Sequence, residues 1–110
     1  AEILLPLRSG KPFSYRPFDC RALTLSAPVH VVPKKLNIVE GSYSHHPYFE
    51  DIYNMKIFLE ISSEEQKKRI IARDGDAIWP MFETKWIPME NRYFEEFDIL
   101  TNANLISHLE

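Results

Sequence analysis

The apolar run Leu36 to Val39 stops abruptly at the acid-glycine pair Glu40-Gly41, and no other stretch restricts the possible folds of this chain as much. A short run with branched residues at Ile38 and Val39 reads as a strand buried on both faces, the kind that parallel sheets contain. A carboxylate just past the end of such a strand lies at the carboxyl edge of the sheet, where open α/β folds seat their ligands. Glu40 is therefore a candidate for chemistry. The plainer reading is that Glu40 opens a polar turn and Gly41 supplies a positive φ.

A chain of 110 residues suits one small domain, and 45% hydrophobic with 13% aromatic residues is enough for a core. The formal net charge of -3 leaves no basic excess to offset phosphates, so neither nucleic acid nor a membrane surface is an expected partner. The single cysteine, Cys20, excludes an internal disulfide and suits the reducing cytoplasm. No apolar run approaches the ~18 residues of a membrane span, and no signal-peptide pattern is present. A start at Ala1 without methionine and an end at Leu109-Glu110 lead us to expect a fragment of a longer protein.

In the first 35 residues, Pro6, Pro12, Pro17, Pro28 and Pro33 remove backbone donors and fix φ, which excludes a central strand or a long helix. Short β-prone runs, Phe13 to Phe18, Ala22 to Leu25 and Val29 to Val32, predict an irregular projecting hairpin. Its cluster of Tyr15, Arg16, Phe18, Asp19 and Arg21 mixes aromatic faces with charges of both signs. Such a cluster either binds a planar polar ligand or covers the hairpin with ion pairs. After Glu40, His45 and His46 are adjacent and so splay apart, which makes them a poor chelating pair for one metal. His46 precedes Pro47 and is expected to shape the loop.

Met55 to Ile61 reads as a second buried strand. Ser62 and Ser63 offer an N-cap, Glu64 and Glu65 suit the first turn, and a helix is predicted over Glu64 to Arg73. Arg69 and Arg73, four apart, share one face of it. Two guanidinium groups so placed would clamp an anion such as phosphate, or simply complement the helix dipole. The breakers in Asp74 to Pro80 predict a mobile loop. Phe82, Trp86, Met89, Tyr93, Phe94 and Phe97 then recur at spacings of three or four, giving an amphipathic helix interrupted or begun near Pro88. Ala103 to Ile106 closes the series as a short edge strand. Strands alternating with helices predict an α/β fold with a parallel sheet flanked by helices and an N-terminal β-hairpin region.

The run VEGSYSHHPYFEDIYNMKIFLEISSEEQKKRIIARD, followed by FETKWIPMENRYFEEFDI, resembles the carboxyl-terminal half of uridine kinase-like enzymes, which belong to the P-loop nucleoside and phosphoribulose kinase superfamily. The resemblance rests on the strand ending in Glu40-Gly41, the strand and helix ending in RIIARD, and the aspartate of the FDC segment before them. It extends from the PLRSGKPFSYRPFD hairpin to the NANLI strand.

The resemblance implies a partial P-loop kinase fold. In it, residues 1–35 would be a hairpin-like acceptor-binding region and residues 36–110 an α/β portion carrying a lid helix. The implied reaction moves the γ-phosphoryl group of ATP to a hydroxyl of a small acceptor, typically uridine or cytidine. Glu40 would help to hold Mg2+. Arg69 and Arg73 would close over the phosphates. Asp19, with Tyr15, Phe18 and Arg21 around it, would lie near the acceptor.

The sequence departs from the family pattern in two ways. No G-x-x-x-x-G-K-[ST] occurs in the 110 residues, so the phosphate cradle is missing and this piece alone is expected to be inactive. Phe18 and Leu23 stand where nucleoside kinases of this group present a tyrosine and a histidine, which opens the acceptor class to the substrates of related enzymes such as pantothenate kinase and phosphoribulokinase. An apolar sheet edge uncovered by a missing amino-terminal half would favour pairing with that half or with a second copy. A non-catalytic ligand-binding or regulatory module that keeps the kinase scaffold is the alternative.

Overall fold

The computed structural model describes residues 2–49 and 51–109. Ala1 and Glu110, read above as marks of a cut from a longer chain, lie outside the described residues. The chain is mixed α/β and divides into two compact units, Ala1–Glu40 and Gly41–Glu110.

The first unit opens with a helix, α1 (Leu4–Ser9), which no sequence pattern announced and which is short enough for the prolines that argue against a long one. It forms because Pro6 falls in the first turn, where its missing N–H has no intrahelical partner to lose. Gly10 ends it in a left-handed conformation, φ 73°, its N–H donating to the Leu7 carbonyl.

The expected hairpin follows in two tiers. Strand β1 (Phe13–Tyr15) pairs antiparallel with β4 (Val29–Val31), and β2 (Phe18–Asp19) pairs with β3 (Thr24–Leu25). Between the tiers the outgoing strand spends residues 16–17 and the return strand residues 26–28. That extra residue is a bulge, placed where Pro17 and Pro28 have no ladder donors to give.

The buried strand predicted at Leu36 to Val39 is absent. These residues form an unpaired irregular segment that goes with the first unit, with Leu36 78% and Ile38 84% exposed. A strand buried on both faces needs a paired neighbour and a covering layer on each side. Among the described residues no strand offers itself to this run, so its apolar side chains face outward. Glu40 consequently does not stand at a sheet edge.

The second unit contains the one parallel pair among the described residues. Strand β5 (Ile57–Ile61) runs beside β6 (Leu105–Leu109) in the register Ile57↔Leu105 to Ile61↔Leu109. Asn104 starts the ladder. Its side-chain oxygen accepts the Lys56 N–H at 2.7 Å, and its own N–H donates to the Lys56 carbonyl at 2.9 Å.

Helix α2 (Ser63–Asp74) leaves β5 as predicted, with Ser62 Oγ accepting the Glu65 N–H and acids in the first turn. The segment read as a mobile loop is instead a 3-10 turn, Asp76–Ile78, that feeds a helix. The helix begins as α3 (Trp79–Met81), widens into a π-type turn over Phe82–Trp86 and continues as α4 (Ile87–Glu96). Pro88 explains the widening: its ring crowds the carbonyl four residues back and it has no N–H to donate, so the preceding turn opens. A last helix, α5 (Ile99–Asn102), begins after Asp98, held in the left-handed region at φ 49°.

One face of the parallel pair packs on α4 through Phe58 and Phe94, their ring centroids 5.0 Å apart. The other face carries Ile57, Leu59 and Leu105, which are 45%, 56% and 49% exposed. The strand forms over Ile57–Ile61 but not as the buried strand expected: Phe58, Glu60 and Ile61 are half-buried, and Ile57 and Leu59 are exposed. Tyr93 anchors the core, in contact with the rings of Tyr43, His46 and Phe97.

The buried hydroxyls of Tyr93 and Tyr53 have no hydrogen-bond partner. An unpaired buried hydroxyl costs about 1–3 kcal/mol. Tyr93→Phe is therefore expected to leave thermal stability unchanged or raise it by about 1 kcal/mol, whereas Tyr93→Ala should lower it by about 3–5 kcal/mol. Thermal unfolding followed by circular dichroism checks both.

Candidate functional site

In the first unit a groove of about 440 Å³ opens between the start of α1 and the hairpin. Its lining is Glu2, Ile3 and Leu4 on one side and Tyr15, Arg16, Pro17 and Phe18 on the other. Leu4 is buried and fixes the floor, and Tyr15 leans on Phe13 at 6.5 Å. Phe18, 58% exposed, offers a free aromatic face.

Arg16 crosses the hairpin. Its Nε donates to the Ser26 carbonyl at 2.9 Å and an Nη to the Leu25 carbonyl at 3.1 Å, and the Ser26 N–H donates in turn to the Pro17 carbonyl at 2.7 Å. The guanidinium is thus a strut across the bulge that holds the Tyr15 to Phe18 wall in place. The groove combines an apolar wall, an open ring and one carboxylate, Glu2. This is the chemistry that suits a small ligand with a planar part and hydroxyl donors.

Two residues predicted for this region, Asp19 and Arg21, lie at the hairpin tip outside the groove lining. Asp19 Oδ1 accepts the N–H groups of Arg21 at 2.8 Å and Ala22 at 3.0 Å. These bonds, Ala22 first, hold its carboxyl below the usual carboxylate range. Asp19 here is the cap of a turn, which tolerates the positive φ of Leu23. Arg21 is exposed. The groove residues that sequence reasoning missed, Glu2, Ile3 and Leu4, are the turn before α1 and its first residue, and no spacing pattern signals them.

Glu40 is exposed in the tail of the first unit. Among the described residues no group of three His, Cys, Asp or Glu side chains comes together to hold a metal, so Glu40 could add one oxygen to an ion but not build a site. Arg69 and Arg73 lie in the second unit, exposed on α2 as the spacing predicts. Arg69 Nε donates to Glu65 Oε1 at 2.8 Å, and Arg73 Nε and Nη donate to Asp74 Oδ2 at 2.9 and 2.7 Å. Each guanidinium thus has a carboxylate beside it. Exposed pairs of this type contribute roughly 0–1 kcal/mol and exchange readily for a more highly charged anion. Lys67 on the same helix lies over the Trp79 ring at 5.1 Å.

Compared with models of known families and with curated proteins, the chain matches none.

The Asp19 turn yields a pH test. Its folded-state pKa lies below the ordinary value of 3.8. The turn therefore has its full contribution above that value and loses it as pH falls through the lower, folded pKa. The Arg21 and Ala22 amide resonances should move together below pH 3.8, and Asp19→Asn should abolish that movement in an NMR pH titration.

Proposed function

We propose that this chain is the acceptor-binding and lid portion of an ATP-dependent kinase that transfers the γ-phosphoryl group to a hydroxyl of a small molecule. The observation that carries the reading is the groove of about 440 Å³ with Tyr15, Phe18 and Glu2 in its lining. A nucleoside such as uridine or cytidine fits that chemistry, its base lying on the Phe18 ring and its sugar hydroxyls donating to Glu2. Phosphoryl transfer asks little covalent chemistry of a protein and depends on positioning and on cations around the phosphates.

In this reading Arg69 and Arg73 release Glu65 and Asp74 and take phosphate oxygens in their place. Glu40 would offer one carboxylate oxygen to the Mg2+ that accompanies a triphosphate, an ion that would offset the phosphate charge. The phosphate cradle comes from outside these 110 residues, because no Walker A sequence lies within them. The uncovered face of Ile57, Leu59 and Leu105 is where the amino-terminal half of a parent protein, or a second copy, would pack. The compartment in this reading is the cytoplasm. Among the described residues no helix is long and apolar enough to cross a membrane.

A second reading, a non-catalytic ligand-binding or regulatory module on the same scaffold, is favoured by one observation: both arginines already have carboxylates beside them. Calorimetry separates the two. Titration with a nucleoside panel should give saturable heat, weakened about tenfold by Phe18→Ala, the ~1.4 kcal/mol expected of one stacked ring. No saturable heat from any nucleoside removes the acceptor assignment. A non-hydrolysable ATP analogue with Mg2+ should then tighten nucleoside binding, and the double variant Arg69→Ala, Arg73→Ala should erase the gain. Nucleoside binding indifferent to the analogue selects the module.

A further inference from the structure

We propose that the second unit carries a binding site for a small oxyanion of the phosphate or sulfate class, in the cavity lined by His45, Lys56 and Asn102. The cavity measures about 60 Å³ and is closed by Pro47, Phe97 and Ile99. One water occupies about 10–15 Å³ measured in this way, so the space holds a group of roughly four or five heavy atoms. That is the size of a tetrahedral oxyanion.

Charge and hydrogen bonding agree with size. Among the described residues no carboxylate lines the cavity and none pairs with the Lys56 ammonium. A half-buried lysine without a counterion is a standing electrostatic cost that a bound anion would remove. The Asn102 amide offers neutral donors, and His45 adds a ring nitrogen. Burial first, and the Lys56 charge second, push the His45 pKa down, so the charged ring is disfavoured in this cavity. An anion between them would stabilise the imidazolium and reverse that effect.

The walls are held in advance. The Lys56 backbone is bonded on both sides to Asn104. The loop carrying His45 is fixed by His46, whose ring lies 4.7 Å from that of Phe97 and whose carbonyl accepts the Phe49 N–H at 2.8 Å. Ile99 is 3% exposed and immobilises the start of α5. Lys56 precedes β5, and Asn102 lies just ahead of β6. The cavity therefore sits at the amino edge of the parallel pair, the opposite edge from Ser62, where α2 begins. It is separate from the Arg69 and Arg73 surface and does not rest on the kinase reading.

The test is an NMR pH titration of all the histidine rings in the full chain, in sodium sulfate and in sodium chloride at matched ionic strength. Sulfate keeps a constant charge across the His45 titration. The His45 pKa should rise by about one pH unit in sulfate, a tenfold preference of the anion for the protonated ring, with a saturating dependence on concentration. His30 and His108 should not respond. Lys56→Gln should abolish the rise and Lys56→Arg should keep it, while unchanged His30 and His108 resonances report that both variants fold. A His45 pKa equal in the two salts overturns the site. So does an equal movement of all the rings, which is general screening, or a rise that survives Lys56→Gln.

Discussion

The parallel ladder between β5 and β6 is the constraint to which the second unit is referred. A two-stranded parallel pair has little stability of its own and persists only where a layer covers it. Here the Phe58 contact with Phe94 ties the ladder to α4, and Tyr93, one residue earlier on that helix, gathers Tyr43, His46 and Phe97 around it. Asn104 sets the register by bonding Lys56 through both its side chain and its backbone. A shift of the ladder by one residue would turn Phe58 to the uncovered face and replace it with a leucine or isoleucine against α4.

The first unit is held by different means. Leu4 is its one buried hydrophobic side chain among the described residues, and its order comes from strand pairing, the Arg16 strut and the Asp19 turn. Hydrogen bonds of this kind, exposed to solvent, contribute about 0.5–1.5 kcal/mol each. A hairpin built on them yields locally at low cost. An open groove in such a unit adapts its walls to a ligand more easily than the aromatic core of the second unit could.

Several elements were legible in the sequence because their signals are local. The Ser62 cap with Glu64 and Glu65 announces α2, the branched run MKIFLEI announces β5, and prolines at short intervals announce a broken hairpin. Leu36 to Val39 carries as strong a strand signal as β5, yet it lies unpaired, because pairing depends on a neighbour that no local pattern specifies. The same distinction applies to the site. Tyr15 and Phe18 were visible in a cluster of aromatic and charged residues, but their companions Glu2 and Leu4 come from the turn before a six-residue helix and from its first residue, which no spacing pattern announces. The resemblance placed Asp19 near an acceptor, and in the structure its Oδ1 is engaged by the chain's own amides of Arg21 and Ala22.

The π-type turn at Phe82–Trp86 changes what one continuous helix can do. Such a turn holds one residue more than an α turn, so every later side chain is set back by about 100° from where a regular helix of the same sequence would put it. Upstream, Trp79 meets Lys67 of α2; downstream, Phe94 meets Phe58 of the sheet. One rod thus serves two neighbours that a regular helix of the same sequence would address with mismatched sides. The wide turn is therefore where the rod absorbs a change in length: losing one residue in 82–86 would return the helix to regular pitch and leave Tyr93 against the core, whereas losing one between Ile87 and Tyr93 would turn that ring away by about 100°.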